Sequence, residues 1–154
     1  MQTAQIRPLT SADLPAAACL LEELNPETPQ AVLRERLATL LREYSHYHLI
    51  GAFHDGSLVG VAGAWVATKV WCGAYLEIDN LIVARELRSM GYGGQLIRYL
   101  EDLAREKDCK ILVLDSYTGN HASHKLYHRL GFQIWSFHFI KVIGDWKGVE
   151  SADA

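Results

Sequence analysis

The stretch from Gly73 to Asp115 most constrains what this chain can become. A strand-like run, AYLEIDNLIV, enters the loop RSMGYGGQ, which opens a run with helical spacing and then the short apolar run KILVLD. Leu96, Ile97, Leu100, Leu103 and Ala104 fall on one face of that helix, predicted to reach about Lys107. KILVLD is almost wholly apolar and reads as a strand buried on both sides of a sheet. A strand, a helix and a second strand in this order form a crossover unit, with the helix covering one face of the sheet.

The flanking segments complete the pattern. Ala4 to Leu9 reads as a strand, and Thr10, Ser11 and Asp13 offer caps for a helix over roughly 12–24. Pro26 and Pro29 interrupt the chain before a second helix carrying Val32, Leu33, Leu37, Leu40 and Leu41. Tyr47 to Phe53 and Leu58 to Val66 read as a hairpin around Asp55-Gly56. Asn120 to Leu130 is a short helix stopped by Gly131, and Phe132 to Val142 supplies one bent strand or two short ones. The predicted order is β-α-α-β-β-β-α-β-α-β(β), an α/β chain with a mixed sheet and helices on both faces. Residues 1–143 read as a single domain, with 144–154 a polar tail.

Composition removes several function classes. The 15 basic and 18 acidic side chains give a net charge of −3, with no electrostatic case for nucleic-acid binding. Cys19, Cys72 and Cys109 match no disulfide framework or zinc spacing, which points to a reducing, cytoplasmic setting. No apolar run is long enough to span a bilayer, and the first residues do not read as a targeting signal.

Gly91, Gly93 and Gly94 crowd the start of a helix, where the first N–H groups lack intrahelical partners and the helix dipole is positive. Glycines there let a phosphate approach the backbone, and Arg88 adds a charge beside it. The dinucleotide fingerprint is excluded because Leu96 stands where its third glycine belongs, and a Walker loop is excluded because Gly-Lys-Ser/Thr is absent. The residues alone leave two readings open, a phosphate site and a loop shaped only for helix-to-strand packing.

IVARELRSMGYGGQLI resembles the acyl-CoA motif of the GNAT superfamily of N-acetyltransferases, V-x-P-x-x-R-G-x-G-x-G/A. Val83, Arg88, Gly91 and Gly93 are in register, while Arg85 replaces the usual proline and Ser89 the usual glycine. NHASHKLYHRLGF resembles the family's second motif through Asn120, Tyr127, Gly131 and Phe132, with Ser123 replacing an alanine. The resemblance implies a sheet splayed between its fourth and fifth strands and acetyl-CoA as cosubstrate. It places the pyrophosphate on the backbone of Arg88, Ser89, Met90, Gly91, Tyr92, Gly93 and Gly94. Leu81, Ile82 and Val83 would pair with the pantetheine arm, an N–H near Leu81 or Ile82 would polarise the thioester, and Asn120 would hydrogen-bond the pantetheine. The acceptor implied is a primary amine, on a small molecule or a protein, with a homodimer possible.

Acetyl transfer to an amine needs a neutral nucleophile, a stabilised oxyanion and a protonated thiolate. An alkyl ammonium has a pKa of about 10, so a base or water relay has to remove its proton at neutral pH. Tyr127 stands at the family's general-acid position; its other reading is a core aromatic sharing a helix face with Leu126 and Leu130. Glu77 and Asp79 lie two apart on a strand and so share a face, either to orient a cationic amine and act as base or to sit on a solvated surface. Asp79 aligns better with the family's acidic position. His121, His124 and His128 share a helix side, but Lys125 and Arg129 lie among them, and no metal is expected. His46 and His48 alternate onto one face, where either could line an acceptor pocket, and Trp65, Trp71 and Trp135 read as core more than site. No His or Asp pattern marks Cys109 as a nucleophile, so direct transfer without an acyl-enzyme is expected. The rival reading is a non-catalytic CoA-binding regulatory module of the same fold.

Overall fold

The structure, a computed structural model, describes residues 3–145. Strand β1 (Gln5–Pro8) leads through a 3-10 turn (Ser11–Asp13) into helices α1 (Leu14–Glu22) and α2 (Gln30–Glu43). Strands β2 (Tyr47–His54), β3 (Ser57–Lys69) and β4 (Gly73–Val83) follow. A 3-10 turn (Arg85–Leu87) precedes helix α3 (Tyr92–Glu106), then strand β5 (Ile111–Leu114) and helix α4 (His121–Arg129). The strands lie in the order β1-β2-β3-β4-β5. The first four pair antiparallel; β5 pairs parallel to β4, as the intervening helix requires. At the β2–β3 hairpin Asp55 and Gly56 have φ of 48° and 76°, the left-handed pair that a two-residue turn demands.

Helices cover both faces. On one, Leu96, Ile97 and Leu100 of α3 are fully buried against Ile50, Ala62, Ala64, Leu76 and Ile78. On the other, Leu14, Ala17, Ala18 and Leu21 of α1 and Leu33 and Leu37 of α2 pack on Tyr47, Leu49, Val61 and Ile82. The small side chains of β3 let both layers close: a Cβ at Gly60 would lie 3.1 Å from both the Ile82 carbonyl and Leu96 Cδ1.

Two expectations are corrected. The predicted strand over Phe132–Val142 does not form, since no strand follows α4 among the described residues. The alternating apolar pattern favours an extended chain, but a strand exists only where a neighbour takes up its backbone N–H and C=O groups. Its large side chains are exposed, Phe137 by 83% and Phe139 by 91%. Correspondingly, Ile111 to Leu114 of β5 are half-buried, because β5 has β4 on one side only and forms the edge of the sheet. The expected polar tail, 144–154, lies outside the described residues from 146 onward.

Candidate active site

The site begins with a register slip. Ala62 of β3 pairs with Leu81 of β4, but the next residue, Gly63, pairs with Asp79. Asn80 is left over as a bulge, with φ of 45°. A bulge reverses which face each later side chain takes. Before it, Leu76 and Ile78 face α3; after it, Leu81 and Val83 do. The pairing of β4 with β5 ends at Ile78–Leu114, so β4 runs on from Asp79 to Val83 without β5 beside it. This is the expected parting of the fourth and fifth strands, and it leaves Leu81, Ile82 and Val83 on an edge that an extended ligand can join.

The glycine loop closes one end of that edge. Gly91 is the N-cap of α3 with φ of 96°, a left-handed conformation that favours glycine. Ser89, two residues earlier, also has a positive φ, 65°, at the position where the resemblance has glycine. Gly93 and Gly94 are not forced by the protein's own packing. A Cβ at Gly93 would meet Leu126 at 3.4 Å and Val83 at 3.8 Å, and one at Gly94 would meet the Arg98 guanidinium at 3.5 Å, ordinary contacts in each case. Each glycine near the start of a helix costs up to about 1 kcal/mol relative to alanine, so packing alone does not account for them. An open cleft of about 610 Å³ lies along the loop, lined by Ser89, Met90, Gly91, Gly94, Arg98, Leu126, Arg129 and Leu130. Two guanidinium groups and a helix N-terminus make this lining suited to a polyanion. Arg88 is placed differently from the loop's cleft-facing groups. Its guanidinium pairs with Glu23 at 2.7 Å and donates to the Val83 carbonyl at 3.1 Å, tying the loop to α1 and the end of β4.

Glu77 and Asp79 stand opposite Trp65 and Gly63 on β3. Tyr47 packs at a tilt against Trp65, with ring centroids 4.7 Å apart, and its ring crosses the backbone at Gly63, where a Cβ would collide with the Tyr47 hydroxyl. That hydroxyl is buried beside Asp79 and Asn80. Burial, and then the nearby Asp79 charge, push the Tyr47 phenol above its ordinary range. Burial likewise raises Asp79 above the usual carboxylate range, and Glu77 adds to the rise, while hydrogen bonds from Asn80 and Trp65 oppose it. His46 joins this aromatic group, 5.4 Å from Trp65. His48 lies within reach of both Lys107, at the end of α3, and His46; burial lowers its pKa most, and these two neighbours add to the fall. Trp71 and Trp135 are exposed rather than core.

From the other side, α4 packs Tyr127 against the same core cluster that Leu81, Val83 and Met90 lean on. Burial raises the Tyr127 pKa, and a hydrogen bond with Ser123, one turn earlier, opposes the rise. Asn120 caps α4, its side-chain oxygen accepting from the Ser123 N–H at 3.3 Å. His124 Nε2 lies 3.0 Å from the Tyr117 carbonyl and His128 Nδ1 3.3 Å from that of Phe132. Among the described residues no three His, Cys, Asp or Glu side chains come together as a metal site. No helix among them is long and apolar enough to cross a membrane.

A bulged strand parting from its parallel neighbour beside a glycine-capped helix is an arrangement with known counterparts. Residues 17–132 match the family described as the acetyltransferase (GNAT) family. The chain belongs to the GNAT family. It is an acetyl-CoA-dependent acyltransferase that acts on amines. An aminoalkylphosphonate N-acetyltransferase of Salmonella typhimurium is 28% identical to this GNAT chain over 149 residues, 93% of this chain and 94% of that protein. A Bacillus subtilis protein, provisionally named a ribosomal-protein alanine N-acetyltransferase, is 32% identical over 90 residues. That match spans 58% of this chain and 55% of the Bacillus protein, little more than half its length. An aminoglycoside N-acetyltransferase solved in complex with CoA has the same fold, with a TM-score of 0.82 over 91% of this chain and 94% of that one, at 22% identity.

Sequence reasoning missed four residues that the structure brings to this candidate site: Asn80, Tyr47, Arg98 and Arg129. Asn80 left a trace, because Leu76 and Ile78 keep a spacing of two while Leu81 follows Ile78 by three. Asparagine is also among the residues that best tolerate a left-handed backbone. Arg98 and Arg129 left none; only the docking of α3 beside α4 puts both on one cleft.

Proposed function

We propose that this protein moves an acetyl group from acetyl-CoA to a primary amine, on a small molecule or a protein, by direct attack. The bulge at Asn80 carries the reading, since it parts the sheet beside a half-buried acidic residue. The cosubstrate supplies an acetyl thioester activated toward amines. Backbone N–H groups from Arg88 to Gly94 hold its pyrophosphate, with Arg98 and Arg129 flanking the cleft. Leu81, Ile82 and Val83 pair with the pantetheine arm, and Asn120 hydrogen-bonds it. An N–H at Leu81 or Ile82 stabilises the charge that develops on the carbonyl oxygen.

Asp79, assisted by Glu77, orients the incoming ammonium and takes its proton, directly or through a water. Its raised pKa makes it a stronger base than an ordinary carboxylate. The amine nitrogen then bonds to the acetyl carbon as the carbon–sulfur bond breaks; the Tyr127 hydroxyl donates its proton to the departing sulfur, and the second proton of the nitrogen passes through water to re-protonate Tyr127. No side chain carries the acetyl group between them. Aminoalkylphosphonate and ribosomal-protein alanine acceptors, named for the relatives above, both present an amine that two carboxylates can hold. We assign the activity to one domain, 1–143, working in the cytoplasm. Calorimetry with CoA, followed by thiol release from acetyl-CoA across an amine panel, tests the proposal. Binding plus amine-dependent release is expected; absence of CoA binding overturns it.

A further inference from the structure

Three departures from good packing meet at one point beside the bulge. Gly63 lies in the middle of β3, where a glycine weakens a strand. Tyr47 is only 4% exposed, and phenylalanine would fill the same space without burying a hydroxyl. Asn80 is squeezed out of the ladder in a left-handed conformation, φ 45°. The three form one arrangement. Gly63 pairs with Asp79. A Cβ on Gly63 would strike the Tyr47 hydroxyl and lie 3.2 Å from the Asp79 carbonyl oxygen. The bare glycine therefore lets a hydroxyl from β2 cross β3 and reach Asp79 and Asn80 on β4. The Asn80 amide carries two N–H donors and meets both groups there. Burial raises the Tyr47 phenol and the Asp79 carboxyl, and a hydrogen bond from Asn80 opposes each rise.

We propose that Tyr47 is a positioning residue for Asp79: its hydroxyl fixes the Asn80 amide, and the fixed amide holds the carboxylate at the fork of β4 and β5. The proposal rests on the reading of Asp79 as the base. With one N–H taken by the phenol oxygen, the other is aimed at the carboxylate, which then meets an incoming ammonium in one orientation. The groups that titrate against Asp79 are Glu77 on its own strand and Tyr47 from β2. From β3 come Gly63 and the Trp65 indole, and His46 meets that indole, 5.4 Å away. Helix α1 covers this face with leucines and alanines. A hydrogen bond to the charged form favours it, so loosening the amide should let Asp79 take its proton at a higher pH.

The test is Tyr47→Phe, which removes the hydroxyl and keeps the ring. Carboxyl-carbon NMR of the full chain without substrate reads the Asp79 midpoint directly, whether or not Asp79 is the base. The midpoint is expected to rise by about half a pH unit or more; an unmoved midpoint overturns the proposal. Asn80→Gly, which removes the amide, should raise it at least as far. Adding Tyr47→Phe to Asn80→Gly should then raise it no further, because the hydroxyl acts through the amide. A further rise in the double variant would mean that the hydroxyl acts by another route, and overturns the proposal. Rates of thiol release from acetyl-CoA, each variant scaled to its own plateau, give the second readout. The acidic limb should move up with the midpoint, lowering the rate on that limb by about three-fold. A midpoint that moves while the limb stays confirms the contact but counts against Asp79 as the base.

Discussion

Asp79 shows how one residue can set stability against activity. Its folded-state pKa lies above the unfolded value, mainly through burial. Below about pH 3.9, the ordinary aspartate pKa, both states are protonated and the site has no effect on stability. As pH rises, the unfolded chain ionises first, so the folded state loses ground until Asp79 ionises as well. Asp79→Asn is therefore expected to raise Tm at pH 7, to converge with the parent below pH 4, and to lower transfer at all pH values; scanning calorimetry and initial rates read both. In the parent, the rate should fall as pH drops through the raised pKa of Asp79. Tyr127→Phe should lower kcat by about 100-fold or more while the CoA Kd from calorimetry stays within a few-fold. Ser89 holds a positive φ that glycine adopts freely, so Ser89→Gly should stabilise the fold by about 1 kcal/mol in urea unfolding. At this scale the sequence was legible where a motif fixed a backbone position, as at Gly91, whose left-handed φ caps α3. It was not legible at Tyr47, whose buried hydroxyl beside Asp79 is produced by strand register.

Among the elements, β4 decides the site. Its bulge parts it from β5, reverses the facing of its last residues and places Asp79 at the fork. The bulge conformation suits asparagine or glycine and is poor for a β-branched side chain. Asn80→Val should destabilise the protein by about 1–3 kcal/mol and lower transfer, whereas Asn80→Gly should keep most of the activity; denaturant midpoints and rates distinguish them. Helix α3 was readable from its stripe alone, since Leu96, Ile97, Leu100 and Ala104 are all buried. The segment 132–142 misled for a physical reason. Alternation reports that a chain prefers to be extended, but not whether a neighbouring strand is at hand.

For the molecule as a whole, a ligand filling the cleft would bridge the glycine loop, α3 and α4. Such a ligand is expected to stabilise all three together. CoA at 100 times its Kd should add about 2.7 kcal/mol, or roughly 5–10 °C in Tm for a domain of this size; no shift in a thermal melt would count against the assigned site. By itself the sequence determined the element order as far as α4, the helix stripes, the hairpin at Asp55-Gly56 and the glycine loop, because each follows from local spacing and backbone preference. Only the tertiary structure decided that Asn80 is squeezed out of the ladder, that Arg88 turns to Glu23, that Arg98 and Arg129 share a cleft, and that the last apolar segment stands away from the sheet. Those outcomes depend on which surfaces meet, and the contacts that set them join residues far apart along the chain.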